Sequence, residues 1–146
     1  MAEVRRYTVS GSSTDIFGRV LCSARNHHVV VDGPEQNGCP GEEITPVEVF
    51  LQAVAACGVE LVQVIAKNEQ MSLKKVAVEI SSMQDRSRPV RPDVSLLNSV
   101  DIKFRLHGVS RHEGERLIGA FKQRLPLYGT VAVATPEVKV EVETEQ

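Results

Sequence analysis

An α+β fold, with a mainly antiparallel sheet wrapped around one long buried helix, follows from three features of the sequence. Strand-like stretches fall in clusters rather than alternating one-to-one with helices, which is the pattern of segregated sheet and helix. One stretch, from Thr45 to about Asn68, opens like a helix and is apolar nearly all the way round. The chain is 146 residues long and holds no internal repeat or low-complexity linker, so a single domain over 1–146 is expected.

The helix comes first because the other elements must cover it. Thr45 can serve as N-cap, Pro46 sits at the first helical position where a missing N–H costs nothing, and Glu48 completes a T-x-x-E capping box. The stretch is long enough to cross a bilayer. Glu48, Gln52, Glu60 and Gln63 argue against that, since an acidic residue near the helix centre costs about 2.5–3.5 kcal/mol on insertion. A buried helix is the better reading. Six strands from so short a chain cover such a helix poorly, so an intimate homodimer sharing it across a two-fold axis is expected.

The strands follow from alternation and turn residues. Residues 4–10 (V-R-R-Y-T-V-S) predict a strand ending in a Gly11-Ser12-Ser13 turn. Residues 16–24 predict a second strand, turned by Arg25-Asn26, and His28 to Val31 a third, closed by Asp32-Gly33-Pro34. A polar, Gly/Pro-punctuated loop over 33–44 leads into the helix. Beyond it, Val76, Val78 and Ile80 mark one face of a strand over 73–81. Residues 83–93 carry Arg86, Arg88, Arg91 and two prolines, and predict a mobile or extended excursion, solvated or docking an acidic partner. Ile102, Phe104 and Leu106 alternate over 100–106. Ser110 and Glu113 form a second capping box, opening a helix from about Arg111 to Arg124 with Leu117, Ile118, Phe121 and Leu125 on one stripe. Pro126 interrupts it, a short helix follows, and 137–142 alternates as the last strand.

Composition removes several function classes. Hydrophobic residues make up 42% of the chain and aromatics 4%, so the core is aliphatic. A formal net charge of -2 and a pI near 6.1 give no electrostatic case for nucleic acid or an anionic membrane. The start, M-A-E-V-R-R-Y-T-V, lacks the apolar region of a secretory signal, and three cysteines do not make a disulfide framework. The expectation is therefore a cytoplasmic protein with reduced thiols. Neither a C-x-x-C nor an H-x-x-x-H pair is present, and His27 and His28, adjacent on a strand, point to opposite faces. No metal and no cofactor is expected.

Three segments together resemble the OsmC/Ohr family of thiol proteins, named for osmotically induced protein C and organic hydroperoxide resistance protein. They are A-R-N-H-H-V-V-V-D-G-P (24–34), I-T-P-V-E-V-F-L-Q-A-V-A-A-C (44–57) and F-K-Q-R-L-P-L-Y-G-T-V (121–131), with Gly38 in the loop between the first two. The resemblance implies an OsmC-like fold: an interlocked homodimer with two long helices at the middle and sheets outside. It also implies reduction of organic hydroperoxides by a helix thiolate, which a second cysteine resolves and an external dithiol restores. Cys57 falls on the position of the attacking thiol, and Glu48 on the glutamate of the family's P-x-E. The second cysteine belongs in a C-P dipeptide, where this chain has Leu125-Pro126. An internal disulfide cycle therefore lacks its partner, and the sulfenic acid would have to be cleared by an external thiol.

The residues themselves set limits on that chemistry. Cys57 lies about three turns into the helix, beyond reach of the dipole, and Glu60 at i+3 shares its face and disfavours a thiolate. An arginine from elsewhere is needed, and the N-terminal strands offer Arg25, inside the resembling block, and Arg19; Arg25 is preferred. Glu48 is nine residues before Cys57, at about 100° per residue the opposite side of one helix. It can assist only by orienting an arginine or across a dimer, and capping alone also accounts for it. Cys22 and Cys39 could replace the missing resolver or be plain thiols. The candidate catalytic set is thus Cys57, Arg25 and Glu48. The expected activity is thiol-dependent reduction of organic hydroperoxides; the alternative is a non-catalytic protein of the same fold that binds a small apolar ligand or a protein partner.

Overall fold

A computed structural model of the protein describes residues 3–146. Two compact units make up the chain, one ending at Phe50 and the other starting at Leu51. The first holds an antiparallel three-stranded sheet in the order β1 (Ser10–Ser13), β2 (Arg19–Ala24) and β3 (His27–Asp32). α1 (Pro46–Asn68) begins in the first unit and continues in the second. The second unit adds β4 (Lys75–Met83), β5 (Ser99–His107), α2 (Arg111–Arg124), α3 (Pro126–Ala134) and β6 (Glu137–Glu145), with a sheet in the order β4-β5-β6. The fold is α+β, with its strands divided between two small sheets.

In the first unit the opening strand differs from expectation. Residues 3–9 form no strand, and the Gly-Ser run read as a turn is itself β1, paired Ser10↔Ser23 to Ser13↔Val20. A strand needs a ladder partner, and β2 supplies one only to Ser10–Ser13, so pairing overrides the alternation upstream. Ile16 and Phe17, expected in the second strand, lie in the connecting turn. There the Thr14 hydroxyl donates to the Arg19 carbonyl and accepts from the Ile16 N–H, and Gly18 takes φ 79°. The Arg25-Asn26 turn between β2 and β3 is as expected.

In the second unit the core forms where the sequence places it. Ile102, Phe104 and Leu106 of β5 and Leu117, Ile118 and Phe121 of α2 are buried together with Val54, Val62 and Ile65 of α1. The other sheet face is charged, with Lys103 and Arg105 pairing with Glu143. β6 runs parallel to β5, in register from Ser99↔Glu137 to His107↔Glu145, which alternation alone could not predict. Parallel neighbours need a long crossover, and α2 with α3 provide it. Ser110 forms the complete capping box of α2, and Pro126 sits at the start of α3.

The chain itself covers only one stripe of α1: Val54, Gly58, Val62, Ile65 and Ala66 are buried. By length and composition the helix could cross a membrane. Its stripe instead packs closely on aromatic rings, since a Cβ added at Gly58 would stand 3.0 Å from Phe104 Cζ and 3.4 Å from Phe121 Cε2. Val47, Phe50 and Val64 of the same helix stay exposed.

The Arg/Pro excursion is a loop without strand or helix, tied at its base. Asn98 accepts from the Asp85 N–H at 2.6 Å and donates to the Arg88 carbonyl at 2.8 Å, and Arg91 pairs with Asp93.

Candidate functional site

Cys57 lies near the middle of α1, half-buried and bonded to no other cysteine. Burial pushes its thiol pKa up, and the Glu60 carboxylate pushes it further in the same direction. At neutral pH the thiol is therefore mostly protonated. The expected result is an iodoacetamide alkylation rate at Cys57 that rises to a midpoint above about 8.5, the ordinary cysteine value. Glu60→Gln should lower that midpoint, because a nearby negative charge no longer opposes the thiolate. It should not restore the ordinary value, because burial is the larger cause. Peptide-resolved mass spectrometry across pH checks both, and a midpoint unmoved by Glu60→Gln would refute the electrostatic account.

Glu48 and Arg25 both have structural occupations. The Glu48 carboxylate accepts from the Thr45 N–H at 2.7 Å, which holds its pKa below the usual carboxylate range and supplies one arm of the capping box. Arg25 is exposed and occupies the left-handed region at φ 55° in the two-residue turn between Ala24 and His27. Two-residue hairpin turns require positive φ, so that backbone shape is set by the strands it joins.

The first unit contains a polar centre that the sequence reading missed. Asp32 is fully buried, and Arg19 grips it with two parallel bonds, Nε to Oδ1 at 2.8 Å and Nη2 to Oδ2 at 2.9 Å. The N–H groups of Glu42 and Glu43 also donate to Oδ2, at 3.1 and 3.0 Å. Arg19 Nη2 reaches the Glu42 carboxylate at 2.8 Å as well. The guanidinium drives the Asp32 pKa far below the usual range, and the two backbone donors assist against the cost of burial. Asp32 in turn raises that of Arg19. These bonds leave Nη1 of Arg19 without a partner among the described residues. The signal was present as an arginine at the start of one strand and an aspartate at the end of the next, which an antiparallel register places opposite each other.

The remaining cysteines have local surroundings of their own. Cys39 is half-buried on the backbone of Gly18 and Gly33, where an added Cβ at either glycine would collide with its side chain. Cys22 lies in β2 opposite Gly11 and Val29. His28 shares a 2.7 Å hydrogen bond with Ser23 across the β2–β3 pair. Among the described residues, no three His, Cys, Asp or Glu side chains are grouped to hold a metal ion.

No family model and no curated protein matches the sequence. Solved structures do match the fold. An OsmC-like protein from Mycoplasma pneumoniae superposes with a TM-score of 0.83 at 14% identity, over 97% of this chain and 99% of that one. The chain has the OsmC fold. An organic hydroperoxide resistance protein OsmC from Legionella pneumophila, also described as a predicted redox protein, matches with a TM-score of 0.74 at 18% identity, over 97% and 99% of the two chains. An organic hydroperoxide resistance protein from Elizabethkingia anophelis, crystallised with thiocyanate bound, matches at 0.73 and 16% over 99% of each. Identities this low establish the OsmC fold and leave the chemistry to this chain's own residues. Within that fold Leu125 joins α2 to α3, with its N–H bonded to the Phe121 carbonyl and its side chain packed on the core.

Proposed function

We propose that this protein reduces organic hydroperoxides through Cys57. The thiolate attacks the distal peroxide oxygen, an S–O bond forms as the O–O bond breaks, and the alkoxide leaves with a proton as the alcohol. Sulfur is oxidised to the sulfenic acid and the peroxide is reduced. With Leu125 where a resolving thiol would stand, an external thiol condenses with the sulfenic acid to a mixed disulfide and water. A second thiol then releases Cys57. Such a cycle suits a reducing compartment, and we place the protein in the cytoplasm on that ground.

The observation that carries this reading is a half-buried, unpaired cysteine at mid-helix in a chain with the OsmC fold. Redox or hydroperoxide-resistance names among structures of that fold support it. In this reading Glu48 anchors the start of the helix that carries the thiol. The test is loss of cumene hydroperoxide in the presence of dithiothreitol. Turnover by the native protein that is absent in Cys57→Ser supports the enzyme; equal loss in both rules it out.

A second reading is a non-catalytic protein of the same fold that binds a small apolar ligand or protein partner. The raised pKa of Cys57 is the observation in its favour.

We further propose that the working form is a homodimer. Val4, Tyr7, Val9 and Phe17 of the first unit are 76–84% exposed, and Val47 and Phe50 of the same unit are exposed as well. Covering these side chains with a second copy of the chain would take them out of water. Light scattering should give twice the 16.0 kDa chain mass; a monomer at micromolar concentration would contradict the proposal.

A further inference from the structure

The C-terminal end of α1 and one flank of α2 border a cavity of about 320 Å³ within the second unit. Its floor is apolar: Ile65 and Leu117 are buried in the core, and Met71 and Ala120 pack against them half-buried. Arg116, Arg124 and Glu69 line the rest. Arg116 pairs with Glu69, and no ion pair among the described residues engages Arg124. One positive charge is therefore left over. At Gly119 an added Cβ would meet no other atom within 4 Å, so that wall stays open. None of these residues is among the exposed apolar side chains of the first unit that a second copy would cover.

We propose that this cavity binds a small amphiphilic carboxylate, an alkyl or aryl acid with its tail on the apolar floor and its carboxylate on Arg124. Its volume is that of a small-ligand site, where apolar walls hold the body and a few polar groups fix orientation. The helix dipole favours a cation in the last turn of α2, but Lys122 in the same turn already meets that need. Arg124 differs in standing beside apolar surface, and its planar fork can take both oxygens of one carboxylate. Glu69 on Arg116 is the precedent for such a pairing at this cavity. A single surplus charge suits a monoanion, and the floor favours one that carries a tail. Cys57 does not line the cavity, so the site is independent of the proposed peroxidase chemistry.

Calorimetric titration of the full chain with octanoate, octanol and acetate tests this. Octanoate should bind at one site per chain, and octanol and acetate about ten-fold or more weaker, because each lacks one of the two contacts. Arg124→Gln should weaken octanoate about ten-fold and leave octanol unchanged. Glu69→Gln should tighten octanoate several-fold, because Arg116 is then free to join the ligand. A purely structural role for these charges would not give opposite signs at the two positions. Octanoate should also shift the amide NMR signals of Gly119 and Gln123, which line the cavity. No binding of octanoate, or octanol bound as tightly, would overturn the proposal. So would an unchanged affinity in Arg124→Gln, a weaker one in Glu69→Gln, or shifts confined to the exposed apolar residues between Val4 and Phe17.

Discussion

Phe104→Ala is expected to destabilise the second unit by about 3–5 kcal/mol, the usual range for emptying a fully packed aromatic site. Phe104 is at 0% exposure in the middle of β5. Its ring meets Phe121 edge-on at 4.9 Å, and Phe121 lies 4.9 Å from Tyr128 in turn. The vacated space would be bounded by a strand and two helices, which relax little, so the cavity persists. Gly58 faces the same ring, so the loss also loosens the seat of the residue next to Cys57. Urea unfolding checks the value, and Phe104→Leu should recover part of it by keeping much of the volume. A loss below about 1 kcal/mol would mean that this cluster is not the core of the unit.

The second large effect is expected at Asp32. Asp32→Ala removes the acceptor for the Arg19 fork and for the N–H groups of Glu42 and Glu43, and leaves those donors unpaired. The loop between β3 and α1 should detach. Amide exchange at Glu42 and Glu43 should accelerate about ten-fold or more, with new proteolytic cleavage between Glu35 and Ile44. Asp32→Asn should be nearly as harmful, because it loses the charge that the guanidinium requires. The same contact predicts a pH dependence. The folded pKa of Asp32 lies far below that of the unfolded chain, so its stabilisation is complete above the unfolded value of about 3.9. It is lost progressively as pH falls from there toward the folded value. Unchanged exchange at Glu42 and Glu43 in Asp32→Ala would show that the loop is held by other means.

The sequence revealed those elements whose signals are local. The S-R-H-E box and Pro126 delimit α2, and the T-P-V-E start delimits α1, because capping and proline act on neighbouring residues. What escaped depends on partners distant in sequence. Ser10–Ser13 is a strand only because β2 pairs with it, and β6 is parallel only because α2 and α3 carry the chain over. Asp32 reads as a turn residue in D-G-P, yet its partner lies thirteen residues earlier, across a register that no single segment specifies. At the candidate site the balance is similar. Helical spacing alone puts Glu60 on the face of Cys57, and the pKa shift of Cys57 has the same sign. The occupation of Arg25 in a positive-φ turn, and the hold of Asp32 on Arg19, required coordinates.

The central claim is that Cys57, and not Cys22 or Cys39, is the thiol that meets hydroperoxide. Mass spectrometry of the three cysteine peptides after brief exposure of the reduced protein to stoichiometric cumene hydroperoxide, with a sulfenic-acid trap present, tests it most directly. The predicted result is one trapped oxygen on the Cys57 peptide, formed faster than on a free thiol, with no intramolecular disulfide. Equal slow labelling of all three peptides, or labelling confined to Cys22 or Cys39, would contradict it.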